Sequence, residues 1–143
     1  MKRVTPILFL LFFAVGCRNR EEKAIKPEHD IDAAREFIRA ALDGNFERAR
    51  QLLLADSINL QYIDVAERSY ERADSGTKAG YRRASINIHE VMPLNDSASV
   101  VVFSNSFKND HDSLRVVRQS GDWRVDLKFL YENKPDTLHP KKP

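Results

Sequence analysis

The sequence predicts an α+β domain: helices first, then an antiparallel meander of strands. Three observations carry that expectation. From Ile31 to about Ala73, apolar residues recur every three or four positions, as on one face of a helix. From Arg83 onward the pattern switches to alternation, with Ile86 and Ile88 set between Ser85, Asn87 and His89. Turn chemistry then punctuates the alternating half at Asn95-Asp96, at Asn109-Asp110-His111-Asp112 and at Gly121-Asp122. Helices followed by such strands define the class.

The helical half is justified element by element. Asp30 is placed to cap a helix whose stripe is Ile31, Ala34, Phe37, Ile38, Ala41 and Leu42. Asp43-Gly44 ends it, glycine supplying the left-handed residue. Asn45 then caps a second helix carrying Phe46, Ala49, Leu52 and Leu53. A third helix is predicted over about Ser57 to Asp74. Its inner side is read as Ile58, Tyr62, Val65, Ala66, Ser69 and Ala73, with Leu60, Ile63 and Tyr70 off it. Asp64 and Arg68 stand four apart and are expected to pair weakly. Gly76 to Gly80 is expected to break the helix and lead into the sheet.

Four strands are predicted: one around Ile86 and Ile88, then Ala98 to Lys108, Leu114 to Gln119, and Trp123 to Leu130. Taking Gly121-Asp122 as the centre of a tight turn pairs Arg118 with Val125, Val116 with Leu127 and Leu114 with Phe129. That register puts Leu114, Val116, Trp123, Val125, Leu127 and Phe129 on one face, and Arg115, Gln119, Arg124, Asp126 and Lys128 on the other. Pairing Phe107 with Leu114 directs Val101 and Phe103 to the helix side and leaves Val100, Val102 and Val117 opposite. These three valines have two readings: the dry centre of a homodimer or partner-protein face, or residues that simply suit strands.

Ahead of the domain, Lys2 and Arg3 precede a nine-residue apolar run, Ile7 to Val15, closed by Gly16-Cys17. A basic cap, a short apolar run and small residues make a secretory signal. A bilayer span takes roughly 20 residues. Ala14-Val15-Gly16-Cys17 resembles the lipobox of bacterial lipoproteins, with Ala14 where that family more often has Leu. The resemblance implies that residues 1–16 are removed, that the Cys17 sulfur carries a diacylglycerol, and that membrane contact runs through this lipid. The location implied is the cell envelope, at the outer membrane. Residues 17–29 are charged and are read as a tether whose Arg18-Asn19-Arg20-Glu21-Glu22 start is either a sorting signal or merely a solvated linker. Residues 132–143, with Pro135, Pro140 and Pro143, are read as a disordered tail.

Charge and composition exclude several classes. Without Lys2 and Arg3 the basic residues fall from 23 to 21 and match the 21 acidic ones, so no basic footprint for nucleic acid remains. Cys17 is the only cysteine, so the fold holds without disulfides, and cysteine-ligated zinc is excluded. The histidines, His29, His89, His111 and His139, have no helical metal spacing, and Asp110-His111-Asp112 reads as a turn. There is neither a Gly-x-Ser-x-Gly elbow nor a glycine-rich phosphate loop. No cofactor is expected.

Taken in order, the Asp43-Gly44-Asn45-Phe46 corner, the stretch Asn95 to Val102 and the Gly121-Asp122-Trp123-Arg124-Val125 hairpin resemble bacterial lipoproteins of the nuclear transport factor 2-like (cystatin-like) superfamily. Within it they look like the domain-of-unknown-function members. The resemblance spans residues 30–131 and implies a curved sheet wrapped around helices as a cone. In relatives such a cone holds ligands or, in isomerase or dehydratase types, an active site, and its sheet often dimerises. The expected function is therefore a small binding or scaffolding domain on an envelope lipoprotein, the alternative a pocket enzyme. Tyr62, Tyr70 and Trp123 are the candidate lining residues.

Overall fold

The computed structural model describes residues 27–132. The signal, Cys17, most of the tether and the tail beyond residue 132 lie outside the described residues. In chain order the elements are α1 (Asp30–Asp43), α2 (Phe46–Leu52), α3 (Ser57–Arg72), α4 (Ser75–Arg83), β1 (Ile86–Asn95), β2 (Ala98–Asn105), β3 (Asp112–Gln119), β4 (Asp122–Asp126) and α5 (Lys128–Glu132). The class is α+β, with helices preceding one antiparallel four-stranded sheet in the order β1-β2-β3-β4.

Local chemistry sets the helix ends. Asp30 lies one residue inside α1, because its carboxylate accepts from the Ser99 hydroxyl at 2.6 Å, tying the helix start to β2. Gly44, at φ +76°, closes α1, and the Asn45 side chain accepts from the Arg48 backbone N–H to open α2. Asp56 caps α3 by accepting from Ile58 and Asn59. Asp74 does the same for α4 through the Thr77 N–H and hydroxyl.

Three expectations in this half are corrected. The buried side of α3 is the one bearing Asn59 and Ile63, while Ile58 and Val65 are 45% and 48% exposed. A polar residue, Asn59, occupies a core position, and apolar periodicity passes over it. Asp64 pairs with Arg50 of α2 at 2.7 Å instead of with Arg68, and Glu67 takes the same guanidinium. The stretch Gly76 to Gly80 also continues as helix. The Asp74 cap starts it, and Gly80 lets the Phe107 ring lie against α4, where an added Cβ would sit 2.6 Å from Phe107 Cδ2.

The sheet keeps the predicted faces while shifting its registers. The last hairpin turns on Ser120 (φ +52°) and Gly121 (φ +88°), so Val116 pairs with Val125. In the second hairpin Leu114 faces Val101 rather than Phe107. Both shifts are by an even number of residues, so no side chain changes side. Pro93 sits within edge strand β1 beside a bulge rather than in a turn. β4 stops at Asp126, whose carboxylate accepts from the Lys128 N–H at 3.2 Å, and α5 replaces the rest of the predicted fourth strand. The outer edge of β4 is covered in part by the segment after α2, where Leu54 donates to the Val125 carbonyl at 2.9 Å.

Helix α1 crosses the inner face and touches all four strands. Its N-terminal half packs Ala33 and Ala34 against Val101 and Val116, with Trp123 at the margin. Its C-terminal half joins the larger cluster around Phe37, Ile38, Phe46, Leu52, Ile63 and Leu127. The first end is sealed. The second opens.

Candidate functional site

Where α1, α3, α4 and α5 part from the open end of the sheet, they line a half-open cavity of about 650 Å³. This lies within the range of small-molecule sites. Its floor and walls are apolar: Phe37, Ile38 and Leu42 of α1, Ile63 of α3, Phe103 and Leu114 of the sheet. Ser69 of α3 and Thr77 of α4 add hydroxyls, and the charged groups gather on one side of the mouth. Asn105, Lys108, Asp110 and Asp112 all come from the end of β2, the start of β3 and the loop between them.

Aromatic residues frame this space. Tyr70 lines it, as the sequence predicts, with its ring edge-on to Phe46 at 5.6 Å and its hydroxyl buried without a hydrogen-bond partner. Gly44 makes room for that ring; a Cβ there would lie 2.6 Å from a ring carbon. Tyr81 follows from α4 and meets Phe107 at 5.2 Å. Tyr131 closes the wall from α5. Burial, with the Asp112 carboxylate and Tyr62 adding to it, pushes the Tyr131 hydroxyl above its ordinary pKa and keeps it protonated.

The other two predicted lining residues fall elsewhere. Tyr62 stacks behind Tyr131 at 4.4 Å, one layer outside the wall. Trp123 is at the sealed end, half-buried beside Ala33, Ala34 and Val116, with the Arg118 guanidinium 5.9 Å from its ring. Its face is the predicted one; its position along the sheet is not. Tyr81 and Tyr131 were missed because the segments holding them read as a helix break and a strand end. Val100, Val102 and Val117 do share the outer face, but Val100 is only 3% exposed, flanked on that face by its paired neighbours Met92 and Arg115.

The ionisable groups outside the cavity serve other ends. The carboxylate of Asp126 is fully buried and is held by the Arg115 guanidinium and the Asn59 amide. His89 and His111 stack at 4.1 Å on the outer face, and His89 Nε2 shares a 2.8 Å hydrogen bond with the Ser104 hydroxyl. Among the described residues, no three His, Cys, Asp or Glu side chains come together as a metal site. Nor is any described helix long and apolar enough to cross a membrane. Compared with protein-family models, curated proteins and solved structures, this chain matches none.

Proposed function

We propose that this protein is a lipid-anchored envelope protein whose domain holds an apolar small molecule in the cavity at the open end of its sheet. The observation that carries the reading is the cavity itself: about 650 Å³, mostly apolar in its lining, with its charged residues confined to the stretch from Lys108 to Asp112. A half-open apolar concavity of this size is more than a domain that only scaffolds requires, and it falls in the range of small-molecule sites. The lining carboxylates, Asp110 and Asp112, belong to the mouth rather than the floor, which favours holding a ligand over turning one over. The anchor rests on the Ala14-Val15-Gly16-Cys17 signature.

Two measurements test the two halves. Decanol should raise the melting temperature of the protein, and Ala41→Phe and Ala66→Phe, which fill the space from α1 and α3, should abolish that rise. An equal rise in variants that fold normally would remove the cavity from the account. Cys17→Ser should shift the protein out of the membrane fraction. A normally processed variant that stays membrane-bound would remove the lipid.

A further inference from the structure

We infer that the cavity takes a flat aromatic molecule, which stacks on the free face of the Tyr131 ring. The inference deepens the binding role proposed above and rests on it. Residues 27–132 hold ten aromatic side chains, and six of them line the cavity: Phe37, Phe46, Tyr70, Tyr81, Phe103 and Tyr131. They come from α1, α2, α3, α4, β2 and α5 in turn, so rings face the space from six elements. The phenylalanines are nearly covered, whereas the three tyrosines are half-buried. A guest therefore meets tyrosine rings first.

Tyr131 offers the clearest platform. Tyr62 lies parallel to it within 16° at 4.4 Å and does not itself line the cavity. One face of the Tyr131 ring is thus taken from behind, and the other is turned to the cavity. Among the described residues, Tyr62 is the only aromatic ring in contact with it. The Tyr62 hydroxyl also reaches the Glu132 carboxylate at 3.5 Å, so α3 holds α5 at two neighbouring residues. A ring fixed before binding loses little freedom when a guest arrives. An aromatic guest extends the Tyr62–Tyr131 stack and gains ring–ring attraction beyond the area it covers. A flexible chain gains area alone and gives up the freedom of its own bonds.

Calorimetric titration of 2-naphthol and decahydro-2-naphthol tests this, with decanol as the reference for the cavity. The two naphthols share one carbon skeleton and one hydroxyl and differ in flatness and aromaticity. The saturated alcohol is the more apolar, so burial alone would favour it. The protein is the chain from residue 17 onward with Cys17→Ser, which retains all the described residues and removes a competing lipid. The expected preference for 2-naphthol is about fivefold, the middle of what one ring pair contributes. Tyr131→Phe should keep that preference, and Tyr131→Leu should erase it while leaving decanol affinity nearly unchanged. If decanol binds but decahydro-2-naphthol binds as tightly as 2-naphthol or tighter, the inference is overturned and the cavity reading stands. A preference that survives in Tyr131→Leu of native thermal stability overturns it equally. If none of the three binds to protein of native thermal stability, the cavity reading fails, and this inference with it.

Discussion

The Asn59 amide bridges two carboxylates that are distant in sequence, Asp56 before α3 and Asp126 at the end of β4. Its Nδ2 donates to Asp56 at 2.8 Å and to Asp126 at 3.3 Å, and its Oδ1 accepts from the Leu127 N–H at 2.7 Å. Both Asn59 and Asp126 are fully buried. One side chain thereby fixes the start of α3, the end of β4 and the turn into α5. Truncating it leaves a buried N–H unpaired and strips a donor from a buried carboxylate. Asn59→Ala is expected to destabilise the domain by about 2–4 kcal/mol. Urea denaturation reads this, and a loss under about 1 kcal/mol would show that the bridge carries little.

Acid should loosen the same junction first. The Lys128 ammonium, 2.5 Å from Asp56, with help from the Asn59 N–H, lowers the Asp56 pKa from 3.8 to about 2. A carboxylate depressed on folding contributes stability in full above its unfolded value, and that stability is lost as pH falls through the folded one. The window is therefore between about 4 and 2. Lys128→Met removes the largest cause, so its stability should fall less than the parent's across that window. Parallel curves for the two proteins would reject the linkage. Lys128, raised by the same partner, contributes while Asp56 is ionised and up to its ordinary 10.5, and loses that contribution as the pH rises beyond it.

Two glycines should respond oppositely to alanine. Gly44 has φ +76° and lies against the Tyr70 ring, so Gly44→Ala adds backbone strain to a clash in the core; about 1–3 kcal/mol is expected. Gly80 is an interior helical residue whose nearest obstruction is Phe107, an exposed loop side chain. In a Phe107→Ala background, Gly80→Ala should stabilise by about 0.5–1 kcal/mol through helix propensity. With Phe107 present the gain should shrink or vanish. A double-mutant cycle by thermal denaturation measures the difference.

Trp123 supplies an internal control. It is the sole tryptophan and is remote from the cavity, so decanol binding should leave its emission unchanged while the melting temperature rises. A spectral shift on binding would put the ligand at the sealed end instead. Being half-buried, Trp123 should lose about 2 kcal/mol on change to Ala, less than the 3–5 of a fully enclosed ring.

The helical entry of the chain and the inward faces of the sheet were legible because each rests on short-range chemistry or on parity. Gly44 and Asn45 sit where the pattern puts them, and two register shifts of even length could not move Val101, Leu114 or Val125 to the wrong side. The cavity was legible only through Tyr70. Its other framing tyrosines depend on α4 and α5, one hidden by two glycines and the other by an alternating run that continues past Asp126. Asp126 itself read as an outward polar residue. Only the approach of Asn59 and Arg115, distant in sequence, turns it into a buried anchor.

The meander also sets a direction. Chain entry at Asp30 is tied to Ser99, beside the turn that joins β1 to β2, whereas the cavity mouth lies at the turn joining β2 to β3. These are opposite ends of an eight-residue strand, about 25 Å apart. Nine residues separate Cys17 from Pro27. The chain therefore enters the domain at the sealed end, and the cavity opens at the other.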